Sequence, residues 1–221
     1  MKKLILFCGG KPHELYGNKP KPLFVAFNGV SIISKFLSSM AIGDYQEIVL
    51  LVEESYGEEY RGLTKEFGVT IFECKDGSTT YEKALLYASS EDSSDAVLYL
   101  TYPDIFAEDS FYRECQENSV TIVPVRSRFP SVIREPFSTK LKGISYTRPK
   151  LPANPSYIYG GLLVISQSTL RLNMAGYTGE KNFELEFLNY LATKEILDAV
   201  IYYGRWATAD GARDINVIDC E

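Results

Sequence analysis

The chain has 221 residues, 45% of them hydrophobic, enough for a sizeable core in one domain spanning 1–221. Its net charge is −6 and it has no basic block, which argues against DNA or RNA as a partner; a small phosphorylated molecule needs only a few cations in one pocket. No stretch approaches the roughly 18 apolar residues of a membrane span, and the run after Lys2 and Lys3 is too short for a signal peptide.

The first element in the chain is the apolar run Leu4-Ile5-Leu6-Phe7-Cys8, which stops at Gly9-Gly10. This reads as a buried parallel strand feeding a loop whose backbone N–H groups can approach a phosphate. A polar loop then leads to Pro20-Lys21-Pro22-Leu23, a cation between two prolines. Helical spacing follows from Ser31 to Met40, then a buried strand at Ile48–Val52 and a second helix from Glu58 to Phe67. A short strand at Val69–Phe72, a helix at Tyr81–Ala88 and a strand at Ala96–Leu100 complete the first half. Such alternation predicts an α/β fold with a mostly parallel central sheet and helices on both faces. In the second half, Val120–Val125, Gly143–Tyr146 and Tyr159–Ile165 read as strands joined by Pro-rich loops. A helix at Asn182–Thr193 and a strand at Ala199–Tyr203 follow, so this half extends the sheet with mixed strands.

The four cysteines (Cys8, Cys74, Cys115, Cys220) are widely spaced and form no CxxC pair, which fits reduced thiols in a cytoplasmic protein. Asp104 lies just past an apolar strand, and Asp210 follows Trp206-Ala207-Thr208-Ala209. Two such carboxylates in one cleft suit Mg²⁺, which takes one or two carboxylates plus phosphate and water; each would equally serve as a turn or helix cap. Asp76-Gly77-Ser78-Thr79 opens the third helix, with Ser78 or Thr79 as its N-cap. The same turn exposes backbone groups suited to a nucleobase edge. His13 is the single histidine and sits in a polar loop, and no Gly-x-Ser-x-Gly is present, so nothing points to a Ser/His/Asp hydrolase.

Taken in order, these segments resemble the sugar-1-phosphate nucleotidyltransferases of the pyrophosphorylase type, which have a Rossmann-like, GT-A-related fold. Leu6–Gly10 with Pro20-Lys21-Pro22-Leu23 resembles the family's Gly-rich loop and its PKP lysine. The resemblance implies nucleotide contacts from Phe7, Cys8, Gly9, Gly10 and Lys11, and from Gly77, Ser78 and Thr79 for the base. Asp104 matches the first metal aspartate, with Pro103 where the family has Gly. Tyr146-Thr147-Arg148-Pro149 resembles the sugar-phosphate segment, with Arg148 in place of lysine. Tyr159-Gly160-Gly161 resembles the strand along the sugar, with Tyr159 in place of Asn, and Glu184 matches a glutamate that contacts the sugar. The ending from Trp206 to Asp214 resembles that of glucose-1-phosphate cytidylyltransferases, which makes Asp210 the second metal ligand and tilts the nucleotide towards CTP. Glu14 stands where the family's loop carries an arginine on the triphosphate.

The resemblance implies an Mg²⁺-dependent transfer from an NTP to a sugar phosphate or other small phosphate, with pyrophosphate released, for surface-polysaccharide precursors. Lys21, Asp104 and Asp210 would be catalytic, and Arg148, Tyr159, Gly161 and Glu184 would bind the acceptor. Homo-oligomerisation is compatible with the sequence. Glu14 supports an alternative, a non-catalytic relative that binds a nucleotide or a partner protein. The lack of an Asp-x-Asp pair argues against a glycosyltransferase.

Overall fold

Strict alternation of burial decides the architecture. Along the first strand Leu4, Leu6 and Cys8 face one hydrophobic cluster, and Ile5 and Phe7 face another. Ile48, Leu50 and Val52 again divide from Val49 and Leu51, and Leu162 and Val164 from Leu163 and Ile165. Strands apolar on both faces must be covered on both faces, which is the condition for a parallel α/β sheet.

The computed structural model describes residues 1–10, 16–25, 29–40, 42–90, 96–124, 131–132, 145–146 and 157–209. Its first half runs β1 (Lys2–Phe7), α1 (Ile32–Ser39), β2 (Glu47–Glu53), α2 (Gly57–Thr64), β3 (Thr70–Cys74), α3 (Thr80–Ser90) and β4 (Val97–Thr101). The second half runs β5 (Ile105–Ala107), α4 (Asp109–Arg113), β6 (Ser119–Pro124), β7 (Ser131–Val132), β8 (Ser145–Tyr146), β9 (Tyr157–Ser166), α5 (Gln167–Ala175), α6 (Leu188–Thr193), β10 (Asp198–Ile201) and β11 (Trp206–Thr208).

Seven strands form one sheet in the order β10-β6-β9-β4-β1-β2-β3. Pairs β1–β2, β1–β4, β2–β3 and β6–β10 are parallel, while β9 runs antiparallel between β4 and β6. The expected fold is therefore observed: a mostly parallel, Rossmann-like sheet with a mixed second half. Tyr81, Tyr87, Leu170, Met174, Leu188 and Leu191, from α3, α5 and α6, cover one face. Ile33, Phe36, Tyr60, Phe111 and Tyr112, from α1, α2 and α4, cover the other.

Local chemistry sets the boundaries. Ser31 caps α1, its Oγ accepting the Ser34 N–H at 3.2 Å, and Ser166 caps α5 through the Thr169 N–H. The helix expected over Asn182–Thr193 divides instead into a π-helical turn at Phe183–Phe187 and α6, which brings both Phe183 and Phe187 into the core. The second helix likewise ends at Thr64 and finishes as a 3₁₀ turn at Lys65–Phe67. The strand expected over Ala199–Tyr203 runs over Asp198–Ile201; the Tyr202 N–H still donates to the Ile122 carbonyl at 2.9 Å, while its hydroxyl lies beside Ser110 and Glu108. Val125 and residues 143–144, expected in strands, lie outside the described residues. Cys8, Cys74 and Cys115 are buried free thiols. Among the described residues, no helix is long and apolar enough to cross a membrane.

Candidate active site

β1 lies between β2 and β4, and the chain crosses to the far side of β1 only after β3. The carboxyl ends of β1 and β4 therefore flank a topological switch point, where open α/β sheets bind ligands. A cleft of about 770 Å³ opens there. Phe7, Gly9 and Gly10 line it from the end of β1, Gly77, Ser78 and Thr79 from the turn before α3, and Tyr102 from the end of β4. Residues 180–184 close the opposite side. Seven of the residues singled out in the sequence (Phe7, Gly9, Gly10, Gly77, Ser78, Thr79 and Glu184) thus share one cleft.

Thr79, rather than Ser78, caps α3. Its Oγ1 accepts the Glu82 N–H at 3.2 Å, and Glu82 Oε2 accepts the Thr79 N–H at 3.0 Å, a reciprocal capping box. The other Glu82 oxygen takes Lys181 Nζ at 2.8 Å, so one glutamate ties the helix start to the opposite wall. The Lys181 hydrogen bond, helped by the Thr79 N–H, holds the Glu82 carboxyl down at about 2.

Two residues of the floor were not anticipated. Glu53 ends β2 and Lys83 lies on α3; both are buried, and Lys83 Nζ stands 3.2 Å from Glu53 Oε1. Both line the cleft. The ammonium lies so close under the loop that a Cβ on Gly9 would sit 1.7 Å from it. Here glycine is needed for room rather than for turning. A sequence signal existed: Lys83 occupies the apolar stripe of α3 one position before Ala84 and four before Tyr87, and Glu53 abruptly closes an apolar run. Burial pushes the Cys8 thiol far up, with Lys83 working against it, which leaves Cys8 an inert core thiol. Its carbonyl accepts the Tyr60 hydroxyl at 2.7 Å, fixing the loop from below.

Lys21 sits on a single 3₁₀ turn, Lys21–Leu23, anchored by buried Pro22 and Leu23. Its Nζ lies 2.5 Å from Asp104 Oδ2, both side chains about one-fifth exposed. Asp104 itself is in the turn between β4 and β5. β11 pairs antiparallel with β5, and the Ala209 N–H donates to the Asp104 carbonyl at 2.8 Å. The segment that precedes Asp210 therefore runs directly along the one that follows Asp104. Trp206 Nε1 donates to the Gly160 carbonyl at 2.9 Å and ties β11 to β9.

Glu184 faces two phenols. The Tyr102 hydroxyl is in hydrogen-bond reach of Glu184 and Thr80; burial first, then the Glu184 carboxylate, push it well above its usual range. Burial and Glu184 do the same to Tyr159. Gly161 lies beneath Tyr102 and against Ile105, at φ +85°. Lys11, His13, Glu14, Arg148 and Asp210 lie outside the described residues.

Among the described residues, no group of three or more acidic, His or Cys side chains is arranged to hold a metal ion alone. A single hard carboxylate at Asp104 does suit Mg²⁺, which draws its remaining ligands from phosphate and water.

No family model and no curated protein matches the chain. Solved structures do. One is assigned as a glucose-1-phosphate thymidylyltransferase from Bacillus anthracis, in complex with a sucrose, with a TM-score of 0.74 and 16% identity over 100% of this chain and 94% of that one. Another is the inositol-1-phosphate CTP transferase from T. maritima, with a TM-score of 0.72 and 15% identity over 96% and 90% of the two chains. The fold is shared from end to end. At such identities the likeness extends to the fold and no further.

Proposed function

We propose that the chain is a nucleotidyltransferase that joins an NTP, with CTP favoured, to a sugar phosphate or other small phosphate and releases pyrophosphate, supplying precursors of surface polysaccharide. The observation that carries this reading is the Lys21–Asp104 pair at the carboxyl end of β4, beside the cleft. Two residues distant in sequence, a cation and a hard anion, meet past the end of β4, an arrangement that supports a role on phosphates. The two solved proteins that share the fold are named for transfer to glucose 1-phosphate and inositol 1-phosphate, which supports the same class of reaction.

On this reading, a phosphate oxygen of the acceptor attacks the α-phosphorus of the nucleotide in line, and pyrophosphate leaves. A phosphate monoester has its second pKa near 6 and is largely dianionic at neutral pH, so no general base is required. The work left to the protein is alignment and charge neutralisation. Gly9 and Gly10 offer backbone to the phosphates, and the turn at Gly77–Thr79 offers backbone to the base. Lys21 neutralises charge that builds on the α-phosphoryl group. Arg148 holds the acceptor phosphate, and Tyr159, Gly161 and Glu184 shape the acceptor end. Asp104 with Asp210 would hold Mg²⁺, which supplies charge neutralisation across the phosphates. When no substrate is bound, Lys21 and Asp104 compensate one another.

Pyrophosphate release with each NTP, Mg²⁺ and a panel of sugar and non-sugar phosphates tests the proposal. Turnover is expected with CTP and at least one acceptor, and a clear purine preference in calorimetric titration overturns the choice of CTP. Glu14, in place of an arginine on the triphosphate, favours the second reading, a non-catalytic relative. Nucleotide binding without turnover for any acceptor would select it.

A further inference from the structure

Three aromatic rings gather on the side of the cleft that holds Glu184. Phe7 packs its ring 5.3 Å from that of Tyr102 and 5.4 Å from that of Phe183, tilted by 40° and 60°. All three, with Glu184, line the cleft. Phe7 and Phe183 are 4% and 3% exposed, so neighbouring core fixes their orientation before any ligand arrives.

Such a wall suits a hexose poorly. A sugar presents hydroxyls in several directions, each needing a polar partner, whereas Phe7, Tyr102 and Phe183 meet it with rings, and Glu184, Thr80 and Asn182 are the polar groups beside them. Rings around one carboxylate suit an ammonium group. A cation within about 6 Å of a ring centroid is drawn to the ring face, and quaternary ammonium ligands are recognised by aromatic cages of this kind. A group seated on Phe7 also comes close to the adjoining rings, while Glu184 supplies the counter-charge. The opposite end of the same ligand would carry the phosphate toward Lys21.

We infer that the acceptor is a small phosphate monoester bearing an ammonium group, held by the Phe7–Tyr102–Phe183 wall and the Glu184 carboxylate. This rests on the transferase reading, because it assigns the acceptor of that reaction. It replaces the sugar with a cationic amine at the position of Glu184.

The test is calorimetric binding to the full chain, without turnover. The probes are phosphocholine, phosphoethanolamine, the carbon isostere of phosphocholine that lacks the charge, and a hexose phosphate. One or both cationic esters should bind at least about tenfold more tightly than the neutral isostere, the factor that corresponds to about 1.4 kcal/mol. Glu184→Gln should abolish that advantage and leave the isostere unchanged, while Glu184→Asp, which keeps the charge, should retain part of it. Circular dichroism checks that the variants are folded. Equal binding of the isostere, tighter binding of the hexose phosphate, or no binding of either cationic ester overturns the inference. The four NTPs titrated separately distinguish the two levels. NTP binding with indifference to charge in the acceptor sinks only the acceptor assignment. A preference for the cationic esters with no binding of any NTP sinks the transferase reading instead.

Discussion

The ammonium of Lys21 and the carboxylate of Asp104 stand 2.5 Å apart across 83 positions of sequence, two residues past Tyr102 of the cleft wall. Each is held by backbone rather than by the other. Lys21 rides on a 3₁₀ turn with buried Pro22 and Leu23, and the Asp104 carbonyl accepts the Ala209 N–H. Substrate can therefore separate the charges without moving the elements that carry them.

From this, Lys21→Ala is expected to lower kcat more than it raises KM. A group that acts on charge developing in the transition state has that signature. Loss of one such group costs about 10²–10³ in kcat. Asp104→Asn should reduce turnover at least as much while keeping a native circular dichroism spectrum, since the side chain is partly exposed. Steady-state pyrophosphate assays measure both, and a pure KM effect would make Lys21 a ground-state anchor.

The buried pair Glu53–Lys83 should behave differently from a surface ion pair. Removing one partner leaves an uncompensated buried charge, at a cost of about 3–5 kcal/mol. Lys83→Met alone is expected to destabilise the fold by that order. Adding Glu53→Gln should recover most of the loss. Urea denaturation of the two single variants and the double variant measures the coupling. Additive effects would show that the two groups do not act as a pair.

Gly9→Ala probes the same floor from above. The new methyl would lie 1.7 Å from Lys83 Nζ, so either the ammonium or the loop must shift. The expected result is weakened CTP binding with only a small change in melting temperature, because a flexible lysine end can withdraw. Unchanged CTP binding would separate the Gly9 loop from the nucleotide site.

Glu82 offers a pH prediction. Its carboxyl is lowered to about 2 in the folded chain, chiefly by the Lys181 hydrogen bond and then by the Thr79 N–H. A depressed carboxyl contributes stability above its unfolded value of about 4.5 and loses it as pH falls towards 2. Carboxyl NMR should therefore show Glu82 still ionised at pH values where ordinary glutamates are protonated. Lys181→Met should raise its midpoint while the Thr79 cap keeps it somewhat low. The same variant should flatten the acid limb of the stability curve. A wild-type midpoint near 4.5 would mean that the clasp between α3 and the 180–184 wall does not form in solution.

Gly161 combines positive φ with lack of space. At φ +85° a non-glycine residue is strained, and a Cβ would sit 1.8 Å from Ile105 Cδ1. Gly161→Ala should cost about 1–3 kcal/mol from overpacking alone, with backbone strain adding to it. Thermal melts measure the effect. A near-neutral result would show that the β9–β5 contact is loose.

The sequence by itself determined the two-faced sheet and the loops that follow its first and fourth strands. Both are written in local patterns: apolar runs ending at Gly9 and at Tyr102-Pro103-Asp104, and a Ser78 or Thr79 cap before an apolar helical stripe. Burial on both faces and N-capping act over a few residues, so short windows reveal them. α5 was not legible, because it follows β9 with no break and exposes Leu172 to solvent, which blurs its period. Tertiary structure alone decided which charges meet. Lys21 with Asp104, Lys83 with Glu53 and Lys181 with Glu82 are separated by 83, 30 and 99 positions. Each partner alone is an ordinary surface residue type. Only the crossover of the chain from β3 to β4, and the antiparallel return of β9, bring each pair together, and only Lys83 with Glu53 is buried.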